Sequence, residues 1–155
     1  MKFGIINIAG IIIIIIMLIP NILYAVHHHN SENKPTNKTM NLLEQAGRYA
    51  CILLMFFPLG VWKFGFSSVA GMLIYLFGNG ILLLAYLLVW ILYFKKQSGE
   101  KAMALAILPT CIFLVSGITL HHWLLLAAAV IFGTGHISNT YRQYEQCQMI
   151  KTMDK

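Results

Sequence analysis

The chain has 155 residues, of which 59% are hydrophobic and only 10% charged, and it carries a net charge of +6 at neutral pH. A water-soluble domain runs at roughly 25% charged residues and needs polar surface to cover its core, so this composition excludes a soluble globule and points to lipid. The basic residues sit in short clusters between long uncharged runs, with no helix-turn-helix or zinc-finger spacing, which excludes a nucleic-acid-binding domain and makes them topology signals.

A membrane-crossing helix takes about 20 mostly apolar residues. The first such run is Phe3–Val26, 24 residues without a charge. It is longer than the roughly 7–15-residue apolar region of a secretory leader, and Leu23-Tyr24-Ala25 is a poor small-x-small cleavage site. A retained helix over 3–26 is expected. Residues 27–40 then read as a loop, with His27, His28 and His29 followed by polar side chains and Pro35. Three consecutive histidines lack the spaced second pair that a metal site requires, so no metal and no cofactor are expected.

The second run, Tyr49–Trp62, has only 14 uncharged residues. Asn41 followed by Glu44 three residues on is a variant of a capping box, which extends the predicted helix to 42–63. Glu44 and Arg48 are then an i, i+4 acid–base pair. Between Lys63 and Lys95 lie 31 uncharged residues, read as a helix over 69–94 with Ser67 or Ser68 as cap. After the polar segment 95–101 come 40 uncharged residues, from Ala102 to Tyr141. As one helix these would measure about 60 Å, twice the hydrocarbon thickness of about 30 Å. The run must fold back near Gly117–His122, giving helices over 102–119 and 123–140. Pro20, Pro58 and Pro109 fall inside predicted helices and are expected to kink them.

The expected fold is therefore all-α, a polytopic membrane bundle of five transmembrane helices. It forms one domain over 1–140, with a cytoplasmic loop at 27–40 and a short tail at 141–155. Five crossings place Lys2 and Lys63 on one side. The other side takes Lys34, Lys38, Arg48, Lys95, Lys96, Lys101, Arg142, Lys151 and Lys155. Without the second crossing the split is 7 to 4 rather than 9 to 2. The positive-inside rule favours the sharper asymmetry, with the N-terminus out and the C-terminus in the cytoplasm.

At 100° per residue the less lipid-like side chains gather on one face of each helix. Gly10, Met17, Asn21 and Tyr24 align in the first, and Glu44, Arg48, Cys51 and Met55 in the second. Tyr75, Asn79 and Tyr86 align in the third, Ala106, Thr110 and Gly117 in the fourth, and Ala129, Gly133, His136 and Thr140 in the fifth. Small residues allow close approach and polar ones hydrogen-bond across it. Asn79, mid-span, reads first as interhelical glue and second as a ligand contact. Glu44 and Arg48 sit at a depth shared with Asn21, Tyr24, His136 and Thr140, a candidate pocket in which an anionic headgroup or small anion meets Arg48.

No carboxylate lies in the central membrane zone, and no carboxylate pair, H-E-x-x-H, G-x-S-x-G or P-loop is present, so no catalytic residue is assigned and enzymatic activity is not favoured. The expected function is a non-enzymatic accessory or lipid- or small-ligand-binding bundle. Its partners would be the lipid bilayer and either further copies of itself or another membrane subunit. A small oligomeric transporter or channel lined by Asn79 is the alternative, and a membrane enzyme acting on lipid headgroups through His136 and Glu44 the second. Heavy use of Ile, Asn and Lys suits an AT-rich bacterial genome, hence an expected multi-pass protein of a bacterial cytoplasmic membrane.

Overall fold

A computed structural model describes residues 7–27, 38–57, 59, 66 and 68–153. It is all-helical and forms a membrane helix bundle. The elements are α1 (Ile8–His27), α2 (Lys38–Phe56), α3 (Val69–Lys95), α4 (Gly99–Thr119) and α5 (Trp123–Met153). Four of them, α1, α3, α4 and α5, are long and apolar enough to cross a membrane. α2 is shorter and more polar, and at 19 residues is about 28 Å long.

Neighbour contacts close a ring in the order α1, α2, α5, α4, α3. The α2–α5, α4–α5 and α3–α4 seams are extensive, and α1 is held more lightly by α2 and α3. Successive helices run in opposite directions. The Asn7 amide at the start of α1 donates to the Phe56 carbonyl at the end of α2, at 3.2 Å. Gly47 of α2 lies against Phe132 of α5, and Glu44 against Gly135. α1 and α3 run parallel, with Asn7 paired to Tyr75 and Asn21 to Tyr86. One end of the bundle thus carries Phe56, Val69 and His122. The other carries His27, Lys38, Lys96 and Tyr144. The described Lys and Arg residues other than Arg48, which lies mid-helix in α2, sit toward the Lys96 end.

The helix boundaries follow local chemistry. Ser68 caps α3, its side chain accepting from the Gly71 amide, and Ser98 caps α4, accepting from the Lys101 amide. The cap at Ser98 starts α4 at Gly99, three residues before the expected 102. Lys101 turns its ammonium back onto the Leu92 and Lys96 carbonyls at 2.9 and 2.8 Å, closing the end of α3. α2 departs most from expectation. It begins at Lys38, ahead of Asn41, and stops at Phe56, one residue before the position that Pro58 biases away from helix. Pro58, expected to kink this helix, lies outside the described residues. The expected 58 and 60–63 portion of that helix lies outside the described residues, as do 3–6 of the first. The fold-back is a tight turn at Leu120–His122, with His121 at φ 53, a left-handed conformation. Residues 141–153, expected as a tail, continue α5 as helix, since no Gly or Pro interrupts them.

Exposed Leu, Ile, Val and Phe cover α3 almost end to end, from Val69 to Phe94. On a water-soluble monomer such a surface would be an aggregation site; against acyl chains it is the required one. The core holds Ile14, Cys51, Met55, Tyr75, Tyr86, Ile112, Phe113 and Leu125, all close to fully buried.

Candidate functional site

The α2–α5 seam is set by glycine. A Cβ on Gly47 would stand 2.7 Å from the Phe132 Cα and backbone nitrogen, and one on Gly135 would stand 2.8 Å from the Glu44 backbone nitrogen. Each helix therefore lays its backbone directly on the other. That approach delivers the Glu44 carboxylate, on a residue only 8% exposed, onto the face of α5.

Three donors converge there. The Arg48 guanidinium reaches Glu44 Oε1 at 2.6 Å from one turn along α2. His136 Nδ1 faces the same oxygen at 2.9 Å. A carboxylate can only accept, so Nδ1 carries the proton. Asn139 Nδ2 donates to Oε2 at 2.7 Å. The His136 ring stacks on Phe132 with centroids 5.0 Å apart, and Thr140 Oγ1 donates to the His136 carbonyl at 2.9 Å.

The cluster is asymmetric. Glu44 is closed in, its two oxygens shared among three charge-assisted hydrogen bonds, which leaves it a poor nucleophile or base. Arg48 is open. A single nitrogen serves Glu44, and 38% of its side chain is exposed against 11% for Glu44. Ten residues from Lys38, it stands about 15 Å along α2, near the middle of the helix. His136 keeps 23% of its side chain exposed, with Nε2 turned away from Glu44. The buried Asn139 Oδ1 has no partner among the described residues. The arrangement leaves the Arg48 guanidinium partly exposed with its counter-charge locked behind it.

The other expected residues are distributed in two further groups. Asn21 Nδ2 donates to the Tyr86 hydroxyl at 2.8 Å and to the Met17 carbonyl at 3.1 Å, on the α1–α3 side of the ring. Tyr24 is one turn below, in an aromatic group with Trp90, Tyr93 and Phe94 at centroid distances of 5.5 to 6.3 Å.

Asn79 belongs elsewhere. Toward the His122 end, its Nδ2 donates to the Tyr75 carbonyl at 2.9 Å and its Oδ1 accepts from Ser116 Oγ at 3.4 Å. Asn7 Nδ2 donates to the Tyr75 hydroxyl at 3.3 Å, and all four residues are fully buried. This network satisfies itself and ties α1, α3 and α4 together.

Sequence reasoning passed over Asn139, Asn7 and Ser116. Asn139 was within reach, since it follows His136 by three residues on the same face. Asn7 carried no periodic signal. Among the described residues no three His, Cys, Asp or Glu side chains gather as a metal site.

Fold and site together define a multi-pass membrane helix bundle with one charged, half-open cluster between two of its helices. No protein-family model matches the chain, and no curated protein and no solved structure matches it.

Proposed function

We propose that this protein is a non-enzymatic binding bundle of a bacterial cytoplasmic membrane, and that it holds an anionic headgroup or small anion against Arg48. The observation that carries the reading is the inequality within the ion pair. Glu44 is saturated by Arg48, His136 and Asn139, whereas Arg48 gives one nitrogen to it and stays open at membrane depth. An ionised side chain within a membrane span is a functional site by default, because a purely structural role can be filled at lower cost by a neutral group. The basic residues toward the Lys96 end make that end cytoplasmic under the positive-inside rule, which puts the cluster in the inner half of the bilayer. Further copies of the chain or another membrane subunit would dock on the exposed apolar faces.

Binding to nanodiscs of graded phosphatidylglycerol content, read by native mass spectrometry, tests the reading. Arg48→Gln should weaken retention of the anionic lipid about tenfold, as expected for one charge-assisted hydrogen bond. Asn79→Leu should leave it unchanged. Equal retention by Arg48→Gln and the parent, with phosphate binding equally unaffected, would reject it.

A further inference from the structure

A cleft of about 540 Å³ opens at the Lys96 end, between the last turn of α3, the first turn of α4 and the extension of α5. Tyr93, Lys96, Gln97, Thr140, Gln143 and Tyr144 are among its walls. Its volume is that of a small-ligand site. Two of these residues connect it inward. Thr140 bonds to the His136 carbonyl and lies one turn from the Glu44 cluster on the same side of α5. Tyr93 packs on Tyr24, whose helix also carries Asn21. The cleft therefore opens one turn of α5 from His136 and beside the Tyr93–Tyr24 contact.

The opposite end is shut. Asn7, Tyr75, Asn79 and Ser116 are hydrogen-bonded to one another with no exposed surface, and Phe66 closes on the Tyr75 ring at 5.2 Å. Gly10 brings α1 onto the α2 backbone, a Cβ there standing 2.8 Å from the Met55 carbonyl oxygen. Between the closed end and the cleft, Arg48 and His136 are partly exposed and Asn21 is exposed.

We infer that the cleft is the mouth of a blind, one-sided vestibule leading to Arg48, and that the vestibule admits a phosphate-bearing anion from the Lys96 side. The inference rests on the Arg48 reading and adds to it the route and the chemistry. Lys96 and Glu100 both line the wall, and Lys95, Lys101 and Arg142 around them against Glu145 leave the mouth net positive, which draws anions to it. Phosphate offers several acceptor oxygens to the forked guanidinium of Arg48. Free phosphate and a phospholipid headgroup share this chemistry.

The route is tested with single cysteines in a background lacking Cys51, Cys111 and Cys147, probed in sealed vesicles by a membrane-impermeant anionic thiol reagent added to either side. Gln148→Cys marks the Lys96 side. Thr140→Cys and Asn21→Cys should react from that side only, and Asn79→Cys from neither. His136→Cys is a second reporter should Asn21→Cys fail to elute as the parent does on gel filtration. Inorganic phosphate should slow labelling of Asn21→Cys at least threefold. A headgroup occupant would instead give that protection in phosphatidylglycerol vesicles without added phosphate, and not in phosphatidylcholine. Reaction at Thr140→Cys with silence at both deeper positions overturns the route, as does labelling of Asn79→Cys from the far side. Labelling at every expected position with no protection by phosphate or phosphatidylglycerol overturns the Arg48 reading instead.

Discussion

Adding one methyl group at Gly47 should break the bundle where it is tightest. The Cβ of Gly47→Ala would lie 2.7 Å from both the Cα and the nitrogen of Phe132, atoms of an α-helical backbone that cannot swing aside. Restoring ordinary carbon–carbon contact requires α2 and α5 to part by roughly 0.7–1 Å. The bonds from His136 and Asn139 to Glu44, now 2.9 and 2.7 Å, would stretch past hydrogen-bonding range. Overpacking costs about 1–3 kcal/mol, and each charge-assisted bond lost about 1.5–3 kcal/mol, against at most about 1 kcal/mol returned by the helix preference of Ala over Gly. A net loss on the order of 2–4 kcal/mol follows from those terms even if only one of the two bonds is lost. Gly135→Ala, with its Cβ 2.8 Å from the Glu44 backbone nitrogen, should behave alike. Gly80→Ala is the control, since a Cβ there meets nothing within 4 Å. Unfolding of the purified protein by increasing SDS fraction in mixed micelles, followed by circular dichroism, measures all three. If Gly47→Ala unfolds at the same SDS fraction as Gly80→Ala, the α2–α5 contact is not as close as described and the reasoning fails.

Further outcomes follow from the same geometry. Glu44→Ala should destabilise by about 2 kcal/mol in that assay, a figure reduced for the partial exposure of Arg48, and Arg48→Met added to it should recover part of the loss by removing the unpaired charge. Asn79→Leu should cost about 1–2 kcal/mol, because Ser116 and the Tyr75 carbonyl lose a buried partner. His122 stands between α4 and α5, its Nδ1 accepting from the Leu125 amide at 3.2 Å as the cap of α5. Burial pushes its imidazole below the ordinary value of 6.5. Protonation then favours the unfolded chain, so its contribution is complete above pH 6.5 and declines as pH falls below it. His122→Asn, which keeps a capping acceptor, should flatten the SDS-unfolding midpoint between pH 7 and 5.

The architecture was legible in the sequence because hydrocarbon imposes so few solutions. An uncharged run too long for one crossing had to turn, and Leu120–His122 is where it does. Ser68, one of two candidate caps, starts α3, whereas the Ser98 cap begins α4 three residues before the start that the charge pattern suggested. α2 was harder to read, since its edges depend on where a polar helix meets other helices rather than lipid. Periodicity placed Glu44, Cys51 and Met55 on the buried face, and all three are buried. It could not separate Asn21 and Tyr24 from the Glu44 cluster, because depth follows from residue number but position around the ring does not. Asn21 and Tyr24 turn to Tyr86 and Trp90 on α3, across the ring from α5. The polar contacts that bind distant segments, Asn7 to Tyr75 and Asn139 to Glu44, are single long-range events with no local signature.

The bundle uses two kinds of polar layer, and their difference bears on function. Toward the His122 end, Asn7, Tyr75, Asn79 and Ser116 are neutral, buried and mutually paired. Such a layer fixes the relative position of α1, α3 and α4 without placing a charge in hydrocarbon. Toward the Lys96 end the seam of α2 and α5 is fixed already by Gly47 and Gly135. A neutral amide at position 44 could accept from Asn139 with its oxygen and donate its NH2 to His136 Nδ1 in the other tautomer, and no guanidinium would be needed. Arg48 is nonetheless present, at a cost of roughly 3 kcal/mol for an arginine at membrane depth on insertion scales. One bond to Glu44 offsets about 1.5–3 kcal/mol of such a cost, and the exposed remainder of the guanidinium is left to meet something else. An anion entering from the cleft past Thr140 would supply what the protein's own side chains do not.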